Sequence, residues 1–258
     1  MKKLALVGGS TAFSKFLHAA FDGEIVIFTD MEQAARAALA TPYEAIIAIA
    51  PEGALLPMPT LEGLKSYTKL WNAGQKVYAE LCDVQDSHLA SLFGVRVYGA
   101  ERAIYNESFV FEDKLLQAPH ATFQPAILAG GREIVRVERC IGSHTPTIST
   151  GDRFPTVVSN RTFTLSTTRL SMLDRLSALP NSRWCELFTS IFAPLLDTTA
   201  EAVKSAFYKV FTPIELAGDK NDVKKAVRRA VEWHFNSGVM PDKTGKSGCF
   251  EMVRSIFL

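Results

Sequence analysis

Long apolar runs, paired cysteines and an excess of charge of either sign are all missing from this sequence. Its 258 residues carry 28 Lys and Arg against 27 Asp and Glu, which excludes a strongly basic nucleic-acid binder or an acidic tail as the main theme. Its longest apolar runs, such as Ala45–Ala50, fall far short of the roughly 20 residues that a membrane helix needs. We therefore expect neither a nucleic-acid partner nor a membrane partner.

The cysteines are too scattered for a disulfide framework or a zinc site. No CxxC pair occurs among the four, which are Cys82, Cys140, Cys185 and Cys249. The basic start Met1–Lys3 resembles a secretory signal, but the apolar stretch Leu4–Val7 that follows it is too short for one. We therefore expect a cytoplasmic protein with reduced thiols, and neither a metal ion nor a cofactor.

Short apolar strands alternate with helical patterns over the first hundred residues. The predicted strands are Leu4–Val7, Glu24–Phe28, Ala45–Ala50 and Lys76–Leu81. The helices between and after them are predicted to begin near Ser10 or Thr11, Asp30, Thr60 and Gln85. Strands joined by helices of this length make right-handed crossovers, so the pattern predicts an α/β fold with a doubly wound parallel sheet.

After Val95 the pattern changes to short strands separated by turn residues. These segments are Val95–Tyr98, Ala103–Tyr105, Ser108–Phe111, Glu133–Val137 and Thr156–Ser159. They predict additional strands or a small antiparallel section. Phe163–Leu165 is predicted to be the last strand of the sheet, and Trp184–Leu196 an amphipathic helix that packs back on it.

The last sixty residues have a helical pattern of their own. Thr198 or Thr199 caps a predicted helix that runs to about Phe211, and Asp222 caps another. We therefore predict an α/β domain over residues 1–197 and a helical extension over residues 198–258 that packs on it or on a partner subunit. A homo-oligomer is expected because this extension holds many large apolar residues, namely Trp233, Phe235, Val239, Met240, Phe250, Ile256 and Phe257.

Cys82 is the sharpest candidate for chemistry, because it follows a predicted strand directly and precedes a helix. A turn at that place can expose a nucleophile. The stretch Lys76–Cys82, continued by His88–Gly94, resembles the nucleophile strand and following helix of class I glutamine amidotransferases. The order of elements over about Met1–Leu196 is also similar to that family. The resemblance implies a flavodoxin-like fold and the position of a catalytic nucleophile for Cys82.

The chain departs from that family at the residues that carry its catalysis. The family flanks its nucleophile with glycines, whereas Glu80 and Val84 stand at those places here, and no His-x-Glu occurs to supply the catalytic partner. The carboxylates of Glu80, Asp83 and Asp86 surround Cys82 and would raise its thiol pKa. We therefore predict a degenerate amidotransferase-like domain with a structural Cys82.

The tail carries a second resemblance. Residues 226–251, which include Trp233 and the pair Phe250-Glu251, resemble the opening helix and loop of six-hairpin (α/α)-barrel glycosidases of the unsaturated-uronyl hydrolase kind. A whole barrel of that kind needs several hundred more residues, so we expect its active site to be missing. The resemblance implies a link to carbohydrate metabolism.

Three further places are candidates for ligand binding. Gly8, Gly9 and Ser10 could bring backbone amides to an anion at a helix N-terminus, although they form neither a GxGxxG motif nor a P-loop. A tight turn that needs glycine is the favoured alternative. Glu52 could act as a general acid or base at a strand end, or it could be an ordinary solvated loop carboxylate. His144 could contact a polar ligand or simply lie at the surface.

These observations favour a non-catalytic amidotransferase-like binding or assembly module with a small polar or sugar-like ligand. One alternative is a hydrolase or amidotransferase that uses Cys82 with a base supplied from an unexpected place. Another is a small-molecule sensor that uses the loops at Gly8–Ser10 and Glu52, since ligands favour the carboxyl ends of strands in a parallel sheet.

Overall fold

The structure is a computed structural model that describes residues 1–51, 54–84, 87–97, 102–103, 107–116, 122–139, 153–172 and 182–211. The chain divides into two units, Met1–Phe211 and Thr212–Leu258. The second unit lies outside the described residues, and so does most of the predicted helical extension.

The first unit begins with strands and helices in strict alternation. In chain order they are β1 (Lys3–Val7), α1 (Thr11–Ala20), β2 (Glu24–Phe28), α2 (Met31–Ala40), β3 (Ala45–Ile49), α3 (Leu61–Asn72), β4 (Lys76–Glu80) and α4 (Ser87–Phe93). Short strands follow: β5 (Val95–Val97), β6 (Arg102–Ala103), β7 (Glu107–Phe111), β8 (Lys114–Leu116), β9 (Thr122–Phe123) and β10 (Ala126–Leu128). The remaining elements are β11 (Arg132–Arg139), β12 (Arg153–Asn160), β13 (Phe163–Ser166), a 3-10 helix (Leu170–Met172), α5 (Ser182–Leu196) and α6 (Ala200–Phe211).

One mixed sheet holds nine of the described strands, in the order β2-β1-β3-β4-β13-β12-β11-β7-β8. Pairing is parallel from β2 to β13 and antiparallel from β13 to β8. The predicted doubly wound parallel sheet and the predicted antiparallel section are therefore both confirmed. The strand predicted at Phe163–Leu165 is β13, which lies in the middle of the sheet between β4 and β12.

Helices cover both faces of the parallel half. Because side chains alternate along a strand, Leu4 and Leu6 of β1 pack in a first core with α1, α5 and α6. Ala5 and Val7 pack in a second core with α2, α3 and α4. The first core is rich in phenylalanine rings in edge-to-face contact, as between Phe188 of α5 and Phe207 of α6, whose centroids are 5.1 Å apart. The flavodoxin-like α/β fold class is thus confirmed.

Polar caps begin the helices of this half at the predicted residues. The side chain of Ser10 accepts the N–H of Phe13 at 3.1 Å, and that of Asp30 accepts the N–H of Gln33 at 2.8 Å. Helix α3 ends beside Gly74, whose φ of +73° is the left-handed value that glycine adopts without strain.

Helix α6 begins just after Thr199, whose hydroxyl accepts the N–H of Ala202 at 3.1 Å. This helix is the first part of the predicted extension, and it packs on α1 and α5 within the first unit. The rest of that extension, residues 212–258, lies outside the described residues. None of the helices in the described ranges is both long enough and apolar enough to cross a bilayer.

Two glycines with the same backbone conformation predict different costs of substitution. Gly8 has φ +68°, and a Cβ added there would lie 2.3 Å from the carbonyl oxygen of Ile49, whereas a Cβ at Gly74, with φ +73°, would meet nothing within 4 Å. We expect Gly74→Ala to lower the free energy of unfolding by about 1 kcal/mol, the cost of the left-handed conformation alone. Gly8→Ala should cost roughly 3 kcal/mol or more, because the backbone must also shift.

Urea unfolding of both variants and the wild type measures this difference. Gly74→Ala is the matched control, since it isolates the conformational cost from the steric one. Equal losses at the two positions would contradict the close approach of β1 to β3 at Gly8.

Candidate functional site

A cleft of about 610 Å³ opens at the carboxyl ends of β1, β2 and β3. The chain passes from β1 outward to β2 and then back to β3 on the other side of β1, so the cleft lies at the topological switch point where open α/β sheets bind ligands. Its lining comprises Val7, Gly8, Thr29, Asp30, Met31, Glu32, Gln33, Arg36, Ile49, Pro51, Leu56, Pro57, Met58, Pro59 and Thr60.

The polar side of the cleft is acidic. Glu32 accepts a hydrogen bond from the hydroxyl of Thr60 at 2.6 Å, and it also pairs with Arg36. The bond from Thr60 is the main cause that lowers the pKa of Glu32, with Arg36 adding to it, so this carboxylate is ionised at neutral pH. Asp30 accepts from the hydroxyl of Thr29 at 3.1 Å while it caps α2.

The turn after β1 contributes to the cleft through its first residue. Gly8 lines the cleft, whereas the hydroxyl of Ser10 is engaged elsewhere: it accepts the N–H of Phe13 and donates to the carbonyl of Ser171 at 3.0 Å. Gly9 has φ +105°, a conformation that favours glycine. The glycines therefore serve a tight turn, and an anion-binding role for Gly8–Ser10 stays a prediction.

Cys82 lies in the second core with none of its surface exposed. Burial, with a contribution from the neighbouring carboxylate of Asp83, raises the pKa of the thiol to about 12. A nucleophilic cysteine needs the opposite shift, because the thiolate is the reactive form. The left-handed residue after β4 is Leu81, with φ +51°, so the sharp turn falls one residue before Cys82.

Two residues of the cleft lie between its space and the Cys82 thiol. The sulfur atoms of Met31 and Cys82 are 3.7 Å apart, and Leu56 forms an isolated β-bridge with Cys82. Met31 and Leu56 both line the cleft, whereas Cys82 does not. The thiol is thus beneath the cleft and covered by an apolar layer.

The remaining sequence candidates cannot be placed in this geometry. Glu52 and His144 lie outside the described residues, so their ligand-binding roles stay predictions. Across the described ranges, no three His, Cys, Asp or Glu side chains gather closely enough to hold a metal ion.

Glu80 is a functional candidate that the sequence does not single out, because there it is only one of several negative charges near Cys82. Its side chain is 1% exposed and accepts three hydrogen bonds. Tyr78 Oη and the Ser171 backbone N–H each donate to Oε2 at 3.0 Å, and Ser171 Oγ donates to Oε1 at 2.5 Å. The available signal was a charged residue directly after the apolar run Val77–Ala79, on the same face of the strand as Tyr78.

Burial raises the pKa of Glu80 to about 7, and the bonds from Ser171 and Tyr78 and the charge of Arg169 hold it from rising further. The segment that contains Arg169 and Ser171 also reaches the cleft. The guanidinium of Arg169 donates to the carbonyls of Pro51 at 3.0 Å and Ala54 at 3.1 Å. A hydrogen-bonded path therefore joins β4, the 3-10 helix and the end of β3.

No family model and no curated protein matches this chain. Solved structures do match. The N-terminal domain of mmIFT52 is 12% identical with a TM-score of 0.50, and the match covers 75% of this chain and 97% of that domain. A ThuA-like protein from Bacteroides uniformis is 13% identical with a TM-score of 0.45. That match covers 76% of this chain and 95% of the ThuA-like protein.

A GH42 β-galactosidase from G. stearothermophilus is 9% identical with a TM-score of 0.44, over 69% of this chain. The present chain spans only 30% of that enzyme's length. At such identities, the match to the mmIFT52 domain shows a shared fold and nothing of function.

The buried carboxyl of Glu80 predicts a pH dependence of stability with a definite sign. Between pH 4.5 and about 7 the folded protein keeps a proton on Glu80 that the unfolded chain has released. The contribution of Glu80 to the free energy of unfolding therefore falls as the pH rises from 4.5 to about 7. Above about pH 7 this contribution no longer changes with pH. At about 1.4 kcal/mol per pH unit, the loss amounts to roughly 3 kcal/mol.

Urea unfolding of the wild type and Glu80→Gln at pH 5 and pH 8 tests this contribution. The difference in free energy between the two proteins should change with pH, since the variant has no proton to release at this position. Glu24→Gln, at an exposed carboxylate paired with Lys3, is the control and should follow the wild type. A difference between wild type and Glu80→Gln that is the same at both pH values would contradict the shifted pKa.

Proposed function

We propose that this chain is a non-catalytic binding module with an amidotransferase-like fold, and that it holds a small neutral ligand rich in hydroxyl groups in the switch-point cleft. The observation that carries the proposal is the position of Cys82. The Cys82 thiol at the end of β4 is buried in contact with Met31, a residue of the cleft lining, and its pKa is raised to about 12.

The lining of the cleft favours a neutral ligand over an anion. Asp30 and Glu32 supply carboxylate oxygens, which accept hydrogen bonds from hydroxyl groups and repel phosphate or carboxylate groups. Arg36 is the one cation among the described residues of the lining, and it pairs with Glu32. Its charge is therefore already balanced by a carboxylate.

The apolar part of the lining suits the carbon face of such a ligand. Pro57, Met58 and Pro59 present apolar surface, and the side chain of Met58 is 45% exposed. Binding sites for small molecules combine apolar walls with a few polar groups that fix orientation. A sugar offers both kinds of surface, and this supports the link to carbohydrate metabolism as part of the proposal.

Ligand binding is tested by calorimetry against neutral mono- and disaccharides and the matching sugar phosphates. We expect a neutral sugar to bind and its phosphate to bind more weakly, because of the carboxylates of Asp30 and Glu32. Asp30→Ser keeps a residue that caps α2 but removes the charge, and should weaken binding about tenfold, or about 1.4 kcal/mol. Glu24→Gln, away from the cleft, is the control. The absence of binding by every neutral sugar would count against this ligand class.

The non-catalytic assignment is tested by alkylation at pH 7.5 with mass-spectrometric readout. In the wild type, Cys82 should react no faster than Cys185, which is also buried. Met31→Ala removes part of the cover and should raise the labelling of Cys82 by about tenfold, since local opening becomes easier. Cys185 is the internal control, because general unfolding would expose both thiols. Rapid labelling of Cys82 in the wild type would favour the cysteine-dependent enzyme instead.

A further inference from the structure

The contacts of Glu80 join the interior of the sheet to the rim of the cleft. Its carboxylate holds Ser171 by both the backbone N–H and the hydroxyl group of that residue. Two residues earlier, Arg169 donates to the carbonyls of Pro51 and Ala54. Pro51 lines the cleft. The segment from Arg169 to Ser171 is thus fixed at one end to a buried carboxylate and at the other to the cleft.

Among the residues that the structure describes, few ionisable groups face this carboxylate. Tyr78 faces it from the same strand, and Arg169 acts on it from the segment before the 3-10 helix. Helix α5 presents Phe192, whose ring centroid is 5.2 Å from that of Tyr78, and α1 presents Phe13 against Phe192. Protonation of Glu80 is therefore governed by burial, by three hydrogen-bond donors and by a single arginine.

Protonation of this carboxylate weakens the hydrogen bonds that it accepts. Oε2 already receives two donors, Tyr78 Oη and the Ser171 N–H. Oε1 receives only the Ser171 hydroxyl among the described residues, so its second lone pair can take a proton from solvent. Loss of the negative charge then weakens these bonds and the attraction to Arg169, since hydrogen bonds to an ionised group are about twice as strong as neutral ones.

We propose that Glu80 is a proton-controlled latch for the cleft: when its carboxyl takes up a proton, its hold on Ser171 weakens and the Arg169 clamp on Pro51 and Ala54 loosens. The ionised carboxylate holds the clamp, and the neutral acid releases it. The claim that this regulates ligand binding rests on the proposed function, whereas the latch itself does not. Burial sets the transition close to neutral pH, because it raises the pKa of Glu80 to about 7.

The latch is tested by NMR on the whole protein without ligand, over pH 5.5 to 8.5. The side-chain carboxyl carbon of Glu80 and the amides of Ser171 and Ala54 should titrate with one common midpoint near pH 7. A Glu80 carboxyl that titrates near its ordinary value of 4.5 would overturn the proposal, and so would an Ala54 amide with no transition in this range.

Two variants separate the steps of the path. In Glu80→Gln, the shared transition should disappear from both Ser171 and Ala54, whereas Glu24→Gln should leave it unchanged. In Arg169→Gln, Ser171 should keep its transition and Ala54 should lose it, because the clamp between them is removed. An Ala54 transition that persists in either variant would overturn the latch. The titration uses no sugar, so a failed sugar screen with an intact titration rejects the proposed ligand and leaves the latch standing.

Discussion

Burial of the central strands on both faces is the constraint on which the rest of this structure depends. Every residue of β3 is fully buried, because α1, α5 and α6 cover one face of the sheet and α2, α3 and α4 cover the other. A sheet closed in this way can meet a ligand only at the ends of its strands. The cleft at the carboxyl ends of β1, β2 and β3 follows from that arrangement, and so does the need for glycine at Gly8, where β1 passes close to Ile49.

The same constraint accounts for the difference between Glu80 and Cys82. A charged side chain that faces the interior from β4 needs internal hydrogen-bond partners, and Glu80 finds them in Tyr78 and Ser171. Beyond the turn at Leu81, the chain enters the second core, and Cys82 takes the place of a small apolar residue there. The end of β4 therefore holds a buried carboxylate and a buried thiol.

The parallel half of the fold could be predicted because its information is local. Apolar runs of strand length, the caps Ser10, Asp30 and Thr60, and the glycine after α3 each lie within a few residues of the element they define. The position of β13 between β4 and β12 could not be predicted, since it depends on pairing between strands that are distant in the chain. Strands β8, β9 and β10 have two or three residues and are too short to show a periodic pattern.

The candidate site could be predicted only where it is built from strand ends. Gly8 follows from the rule that ligands favour the carboxyl edge, and it does line the cleft. Asp30 and Thr60 were recognisable as helix caps, but nothing in the sequence showed that the two caps face one cleft. The partner that holds Glu80 is Ser171, 91 positions away. A contact of that kind becomes visible only when the chain is folded.

The end of β4 places a buried thiol next to an open cleft. An exposed nucleophile needs a turn that lifts its side chain out of the core and neighbours that favour its anion. Here the left-handed turn falls on Leu81, one residue before Cys82. Met31 and Leu56 both contact Cys82, and both also line the cleft. The residues that contact the buried Cys82 thus also line the cleft, and this arrangement supports the proposed binding role.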